Sequence, residues 1–292
     1  MGKETNAKAS LVMAMVIFGT IGIFRKYIPL SSGIVACVRG ILGVAFLLTF
    51  IKIKKISMDK AAIKKHLKVL LISGGFIGLN WVLLFESYRY TSVAVATLCY
   101  YMAPIFVIMV SPFFLKEKLT AKKTVCVLVA LIGMIFVSGV LDGGVSDISE
   151  VKGILFGLGA AALYASVVMM NQKLREVPTY DKTIMQLGAA AAVLIPYIFV
   201  VEDLAAIVLT PLIIVMLIVV GVLHTGIAYA LYFGSMNNLK AQTVALFSYI
   251  DPIVAIILSA LFLKEPMNVY SVIGAVLVLG ATMISELPEK RK

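Results

Sequence analysis

Four ionisable side chains fall inside long apolar stretches of this 292-residue chain. They are Arg39, Glu86, His224 and Asp251, and each is costly to bury in hydrocarbon. Charged or titratable residues at such positions pair with one another, hold a substrate or carry a proton. The chemistry that this sequence can perform is therefore sought first at these four residues, and then among the polar and aromatic residues near them.

Asp251 directly precedes Pro252 near the middle of its apolar stretch. Proline lacks a backbone donor, so the carbonyl of Ser248, four residues earlier, loses its helical partner. A carboxylate beside such a loosened backbone can bind a cation or exchange a proton. The alternative is a structural acid that accepts a hydrogen bond from a Ser, Thr or Tyr of a neighbouring helix.

His224 lies within the stretch "GVLHTGIAYALYF" and is a candidate partner of Asp251 in a proton relay. A buried histidine that is satisfied by one hydrogen bond is the alternative. Arg39 and Glu86 occupy the same half of their stretches, and an ion pair would offset the cost of burying each. We therefore predict an Arg39–Glu86 pair with a structural or gating role. The sharper hypothesis is that a substrate carboxylate competes for Arg39.

Polar and aromatic residues near the middle of the apolar stretches are further candidates. Asn80 and Trp81, the only tryptophan of the chain, could line a cavity for an organic substrate or could serve packing. A set of tyrosines is concentrated in three of these stretches: Tyr100, Tyr101, Tyr229, Tyr232 and Tyr249. Helix–helix hydrogen bonding is the alternative to a shared substrate-facing role for these tyrosines.

The composition identifies the class of protein. The chain is 61% hydrophobic and 14% charged, with a mean hydropathy of +1.04, whereas soluble domains carry about 25% charged residues. This is an integral membrane protein. The net charge of +11 comes from short Lys and Arg clusters between apolar stretches, which argues against a nucleic-acid partner. The three cysteines have no metal-ligand spacing, and we expect neither a metal nor a cofactor.

Ten stretches are long and apolar enough to span a membrane as helices. None shows the alternating pattern of a barrel strand, so the predicted fold is an all-α bundle. The predicted spans are 7–25, 31–51, 68–89, 92–115, 121–141, 152–172, 182–201, 208–235, 239–263 and 267–286.

The distribution of Lys and Arg predicts the orientation of these spans. If the N-terminal segment "MGKETNAKAS" is cytoplasmic, twenty of these residues lie on the cytoplasmic side and five on the outer side. Cytoplasmic loops carry such an excess of positive charge. Both termini, including the tail 287–292, are therefore predicted to be cytoplasmic.

One stretch of the sequence occurs twice, 148 positions apart. "PIFVIMVSPFFLKE" begins at Pro104 and "PIVAIILSALFLKE" begins at Pro252, and eight of fourteen positions are identical. The match extends to Tyr101 and Tyr249, whereas Asp251 corresponds to Ala103. Because each predicted half, 1–141 and 152–286, has five spans, the second half enters the membrane from the opposite side. Inverted repeats of this kind are a recurring plan of secondary transporters, with the substrate site between the repeats.

These ten spans, the two repeats and the "P…F-L-K-E" ending of each repeat resemble the drug/metabolite transporter superfamily, specifically the EamA-type permeases. Arg39 in "VRGILGVAFLL" also resembles a frequent arginine of that family. The resemblance implies alternating access in the plasma membrane of a prokaryote, with export of amino acids or related small metabolites.

The predicted function is therefore a secondary transporter of small organic metabolites, with protons as the coupling ion, working as a monomer or homodimer in contact with membrane lipid. An enzyme is not expected, because G-x-S-x-G and H-E-x-x-H motifs are both missing from the sequence. A channel would need an aligned polar pore, for which these spans have few polar residues. A membrane scaffold or receptor that transports nothing is the remaining alternative.

Overall fold

The computed structural model describes residues 3–114, 120–137, 148–204, 207–236, 239, 244, 247–265 and 267–287. Within these residues the regular structure is helical, and seven continuous helical segments are long and apolar enough to cross a membrane. The α-helices are α1 Lys3–Lys26, α2 Ser32–Ile53, α3 Lys60–Tyr90, α4 Val93–Tyr100, α5 Ala103–Phe114, α6 Ala121–Val137, α7 Ile148–Asn171, α8 Thr179–Val201, α9 Pro211–Ile218, α10 Ala228–Met236, α11 Ile250–Phe262 and α12 Val269–Glu286. A π-helical segment, Val219–Ile227, joins α9 to α10.

Short polar side chains set where several helices begin. The side chain of Ser31 accepts a hydrogen bond from the backbone of Ile34 at the start of α2, and Ser92 does the same at the start of α4. Asp59, Thr210 and Asn268 cap α3, α9 and α12 in the same way. The first backbone donors of a helix have no partner within it, so these caps mark the ends of spans in the sequence.

The fold is the all-α, ten-span membrane bundle that the sequence predicts, with differences at helix ends. α3 starts at Lys60, eight residues before the predicted span, because it continues as an exposed basic helix beyond the apolar part. The fourth span is divided into α4 and α5 near Tyr101, and the eighth contains the π-helical segment. Residues 138–141 of the predicted fifth span and residues 240–243, 245 and 246 of the ninth lie outside the described residues, as do Lys116, Glu117 and the tail from residue 288.

Packing between the helices follows a two-fold pattern. α1 packs against α11, and its counterpart in the second half, α7, packs against α4 and α5. α3 packs against α7 and α8, just as α10 and the π-helical segment pack against α1 and α2. The pairs α2–α8 and α6–α12 each join a helix to its own counterpart, and α4 of the fourth span packs against α11 of the ninth. The bundle therefore consists of two five-span halves that are related by one pseudo-two-fold axis, and these contacts of one half have equivalents in the other.

The surfaces of the helices are consistent with lipid outside and close contact inside. Large apolar side chains such as Val200, 86% exposed, lie on the outer face of the bundle. Inside it, a Cβ atom at Gly157 would lie 2.7 Å from the Cβ of Cys99, so α7 can approach α4 only because this residue is glycine. Gly157 of the sixth span therefore serves close helix packing.

Candidate functional site

Polar groups from both halves meet inside the bundle. The group that we call the central cluster consists of Arg39, Trp81, Tyr101, Thr225 and Asp251. α2 and α3 supply two members from the first half, and the α4–α5 junction supplies a third. The π-helical segment and α11 supply the other two from the second half. A site between inverted repeats is the arrangement found where secondary transporters bind substrate.

Arg39 is 5% exposed and is held by neutral groups. Its Nε donates a hydrogen bond to Thr225 Oγ1 at 2.7 Å, and its guanidinium carbon lies 4.2 Å from the centre of the Trp81 ring. Within the described part of the chain, no carboxylate forms an ion pair with Arg39. A buried cation that is stacked on an aromatic ring, and has no acidic partner, can receive the carboxylate of a ligand.

The predicted Arg39–Glu86 pair is wrong. Glu86 instead accepts from Arg89 Nη1 at 2.9 Å, one turn later on the same helix. Trp81 and Phe85 lie one turn apart and share the face of α3 that meets Arg39. Glu86 follows Phe85 by one position, which turns its side chain about 100° around the helix and away from Arg39.

The π-helical segment explains how Thr225 reaches Arg39. In a π-helix each backbone N–H bonds to the carbonyl oxygen five residues earlier, instead of four as in an α-helix. The side chain of Thr225 follows the same spacing, with its Oγ1 3.2 Å from the carbonyl oxygen of Val220. A π-helical turn within an α-helix is rare and frequently lies at a functional site. Thr225 was not a candidate from the sequence, because a single threonine in an apolar stretch carries no signal of its own.

His224 points to a different neighbour from Thr225. Its ring is fully buried, with Nε2 2.8 Å from Thr20 Oγ1 of α1 and Nδ1 3.3 Å from the carbonyl oxygen of Val219. The Phe24 ring packs edge-on against it, with the ring centres 4.9 Å apart. His224 therefore ties the π-helical segment to α1, and the expected contact with Asp251 is not among its hydrogen bonds.

Asp251 is hydrogen-bonded across the interface between the halves. Its Oδ2 accepts from the hydroxyl of Tyr101 at 2.9 Å, and the same hydroxyl lies 3.2 Å from the carbonyl oxygen of Ser248. This is the carbonyl that Pro252 was expected to release from the helix. Because one hydroxyl proton is shared between two acceptors, the Asp251 carboxylate retains capacity to accept a ligand donor.

Tyrosines surround this carboxylate. The rings of Tyr101 and Tyr249, which occupy equivalent positions in the two halves, have their centres 6.1 Å apart. Tyr100 contacts Tyr101 and Tyr164, and Tyr229 contacts Phe18. Tyr100, Tyr101, Tyr229 and Asp251 are only half-buried although they lie between packed helices. Tyr100, Tyr229 and Asp251 lie near enough to Arg39 to act on its guanidinium group electrostatically.

Asn80 has a packing contact rather than a place in the central cluster. Its side-chain amide donates to the carbonyl oxygen of Ala160 and so joins α3 to α7. Gln186 has a similar position between helices, where it donates to Ser73 at 2.7 Å and to Asn171 at 2.8 Å. These bonds satisfy buried polar groups along the interfaces of α3.

A second polar group lies at the end of the bundle that carries Lys26, here called the Lys26 end. We call it the Glu265 cluster. Glu265 Oε1 lies 3.3 Å from Lys26 Nζ, and Oε2 accepts from the backbone of Val93 at 2.8 Å and from the hydroxyl of Ser259. The cluster ties the end of α1 to the start of α4 and the end of α11. It is the structural role of the second "F-L-K-E" ending.

Among the described residues, no three His, Cys, Asp or Glu side chains lie close enough together to hold a metal ion.

Comparison with known proteins connects this arrangement to a family. The model of the EamA-like transporter family matches residues 8–139 and 151–286, one match in each half. An uncharacterized transporter of Bacillus subtilis, YxxF, is 28% identical over 288 residues, covering 97% of this chain and 90% of its own length. An uncharacterized transporter of Archaeoglobus fulgidus is 23% identical, covering 95% of each chain.

A crystal structure of another protein has the same fold. It is 17% identical, covers 96% of each chain, and superposes with a TM-score of 0.68. A likeness at this identity concerns the fold alone. The two family matches extend over nearly the whole chain, so this membrane protein belongs to the EamA-like transporter family, within the drug/metabolite transporter superfamily.

Proposed function

We propose that this protein is a secondary transporter that exports small zwitterionic metabolites, amino acids or related compounds, by alternating access. The observation that supports this most directly is the central cluster itself. It combines a buried cation without an acidic partner, Arg39, with a carboxylate, Asp251, on the opposite half of the bundle. The two charges interact electrostatically, and aromatic side chains fill the space around them.

The chemistry of these groups favours a ligand with both signs of charge. Arg39 can bind a carboxylate through the guanidinium donors that Thr225 does not use. Asp251 can accept a hydrogen bond from an ammonium group, and tyrosine rings can contact a short apolar side chain. A ligand that spans the two halves would favour the closed state, because it gains both contacts only when the halves approach.

Alternating access requires one end of the bundle to be closed while the other is open. The Glu265 cluster closes the Lys26 end by joining α1, α4 and α11. Its groups are partly exposed, with Lys26 at 30% and Glu265 at 16% side-chain exposure, so the ion pair costs little to break. Proton binding to Asp251 supplies the coupling step, because it removes the charge that holds the ammonium group.

In this proposal the protein lies in the plasma membrane of a prokaryote, with both termini cytoplasmic. Cysteine labelling tests the orientation, because Cys37, Cys99 and Cys126 are all buried. We expect a membrane-impermeant maleimide to label Lys60→Cys only after cells are opened and Tyr27→Cys in intact cells. The reverse result would invert the topology and the direction of export. Cross-linking at low density in the membrane distinguishes a monomer from a homodimer.

Transport itself is tested with purified protein in liposomes. The vesicles are loaded with a panel of radiolabelled neutral, acidic and basic amino acids, and efflux is followed with and without a proton gradient of either sign. We expect efflux of at least one zwitterion, and loss of that efflux in Arg39→Gln with an unchanged thermal unfolding midpoint. If none of the panel moves under any gradient, a non-transporting scaffold or receptor is the better description.

A further inference from the structure

A second arginine is buried without a carboxylate, nearer the Lys26 end. Arg25 is 4% exposed, and no described carboxylate forms an ion pair with it. Its Nη1 donates to the carbonyl oxygen of Ile28 at 2.8 Å and its Nη2 donates to Ser32 at 3.0 Å. Both acceptors are neutral, so a neutral donor could hold this turn between α1 and α2 equally well. These two hydrogen bonds do not account for the positive charge.

The guanidinium group of Arg25 also has a donor to spare. Its Nε is buried and has no hydrogen-bond partner. Leaving a buried donor unpaired is costly, more so on a charged group. Glu86 and Arg89 both act on Arg25 electrostatically, but with opposite signs, and they are paired with each other at 2.9 Å. The charge of Arg25 is therefore not neutralised by this pair.

The side chain of Phe85 connects this arginine to the central cluster. Phe85 is fully buried, and its ring centre lies 5.9 Å from the guanidinium carbon of Arg25 and 5.8 Å from that of Arg39. The two carbons are therefore separated by no more than the sum of these distances, 11.7 Å. Two unpaired buried cations thus contact the same aromatic ring, one in the central cluster and the other nearer the Lys26 end.

We infer that Arg25 is a second anion-binding station, which receives the carboxylate group of the transported metabolite after Arg39 has released it. The inference rests on the proposed transport function, because it places the station on the path of the substrate between the central cluster and the Lys26 end. Phe85 contacts both stations, so the two guanidinium groups are near enough for one carboxylate to pass from Arg39 to Arg25. The unused Nε–H of Arg25 is the donor that the carboxylate would engage.

Fluorescence gives a direct test, because Trp81 is the only tryptophan of the chain and its ring packs against Arg39. Iodide serves as an anionic quencher and acrylamide as a neutral one, with the full chain in lipid nanodiscs. If Arg25 concentrates anions on the path to Trp81, Arg25→Gln should lower the iodide quenching constant about threefold or more. The acrylamide constant should stay within the error of the measurement.

Arg89→Gln is the matched control, since it removes a positive charge from the same end of the bundle at a side chain that is 54% exposed. Because Arg89 also acts on Arg25 and is paired with Glu86, this variant should lower the iodide constant by less than Arg25→Gln does. An unchanged iodide constant in Arg25→Gln would overturn the inference. An equal fall of both constants, or an equal iodide effect of Arg89→Gln, would assign Arg25 to packing or to surface charge and would overturn it too.

A variant that keeps the Arg25 side chain guards against a folding defect in Arg25→Gln. Glu86→Gln removes the negative charge that acts on Arg25 and should raise the iodide constant, whereas Glu202→Gln at the same end should not. No rise with Glu86→Gln would count against the station. The measurement needs no transported metabolite. A wild-type protein that shows the iodide effect but no flux would refute transport and leave anion binding standing, and the converse result would refute only the station.

Discussion

The fourth and ninth spans share most of their sequence and differ at the residue that faces the other half. Both are interrupted at a tyrosine, Tyr101 in one and Tyr249 in the other, and the two rings are in contact. Two residues later the first half has Ala103, 3% exposed, and the second has Asp251, half-buried and bonded to Tyr101. The two equivalent tyrosines form the contact between the halves. Asp251, which has no acidic equivalent in the first half, adds a carboxylate to this contact.

The third and eighth spans differ in the same sense. α3 is a continuous α-helix of 31 residues, whereas the eighth span contains the π-helical segment. Each accepts a hydrogen bond from the second span of the opposite half: Thr225 from Arg39, and Ser73 from Gln186. One contact carries a charge and the other is neutral. The asymmetry of the two halves thus includes a few residues of the central cluster.

The largest effect is expected from removing the charge that distinguishes the ninth span from the fourth. Asp251→Asn keeps the size of the side chain and an acceptor for Tyr101, but it cannot exchange a proton. We expect proton-dependent efflux from liposomes to fall by about two orders of magnitude, because an intramembrane acid is functional by default. Proton-driven flux at the wild-type rate in this variant would exclude Asp251 as the proton carrier.

Ala103→Asn is the matched control for Asp251→Asn. It places the same amide at the equivalent position of the first half, where no charge is lost. We expect it to change flux less than Asp251→Asn does, even if overpacking at this buried site lowers the thermal unfolding midpoint more. Equal losses of flux would indicate that the axis tolerates no change and that the charge is incidental.

The next effect compares the two hydroxyl groups that accept from α2 and α8. Thr225→Val removes the acceptor of Arg39 and leaves a buried charged donor unpaired, which costs about 1.5–3 kcal/mol. We expect roughly a tenfold loss or more in efflux through the mispositioned guanidinium group. Ser73→Ala, at the neutral contact with Gln186, should cost about 1 kcal/mol of unfolding free energy with little loss of flux. Equal flux losses would remove the functional distinction between the two contacts.

The sequence predicts the architecture well for a physical reason. Spans are set by about 20 apolar residues each, and the repeat makes the second half predictable from the first. Arg39, Trp81 and Asp251 stand out because burying a charge or a lone large aromatic in such stretches needs a cause. Arg39 and Trp81 are in contact in the central cluster, and Asp251 acts on Arg39 electrostatically.

The partners of these residues could not be predicted in the same way. The Arg39–Glu86 pair failed because charge and depth along a span say nothing about which face of a helix a side chain occupies. The contacts of Thr225 with Arg39 and of Thr20 with His224 depend on the π-helical segment, which changes the register of the eighth span by one residue. The sequence does not predict this segment, so it does not predict these contacts. Helical periodicity gives little help here, since residues of a membrane helix are apolar on every face.

A smaller effect is expected at the Glu265 cluster, which belongs to the second half. Glu265→Gln keeps an acceptor for the backbone of Val93 but loses the ion pair with Lys26, which at this exposure is worth about 1 kcal/mol or less. We expect the Lys26 end to open more often, so that a maleimide labels Ala94→Cys about three times faster. Lys26→Gln should have the same effect, and the double change should add little.

The repeat extends this comparison to the first half. Its equivalent glutamate is Glu117, outside the described residues, and it follows Lys116 as Glu265 follows Lys264. If the two glutamates close opposite ends in turn, Glu117→Gln should slow the labelling of Ala94→Cys, because it favours the state that is closed at the Lys26 end. Faster labelling in both variants would mean that the two endings do not act in opposition.

The smallest effect is expected at a well-exposed ion pair on the opposite end of the bundle. Lys65 Nζ lies 2.5 Å from Glu176 Oε2, and this hydrogen bond, followed by that from His66, lowers the pKa of the Glu176 carboxyl below its ordinary value of 4.5. A pKa that is lower in the folded state stabilises the fold above the unfolded-state pKa. The contribution is lost as the pH falls through the folded-state pKa. Glu176→Gln should therefore lower the thermal unfolding midpoint by about 1 °C or less at neutral pH, and not at all in strong acid. The thermal unfolding midpoint of Glu265→Gln is measured for comparison. If Glu176→Gln lowers the midpoint as much as Glu265→Gln does, the ion pairs at the two ends of the bundle contribute equally to stability. The half-buried cluster at the Lys26 end would then have no special part in closing the bundle.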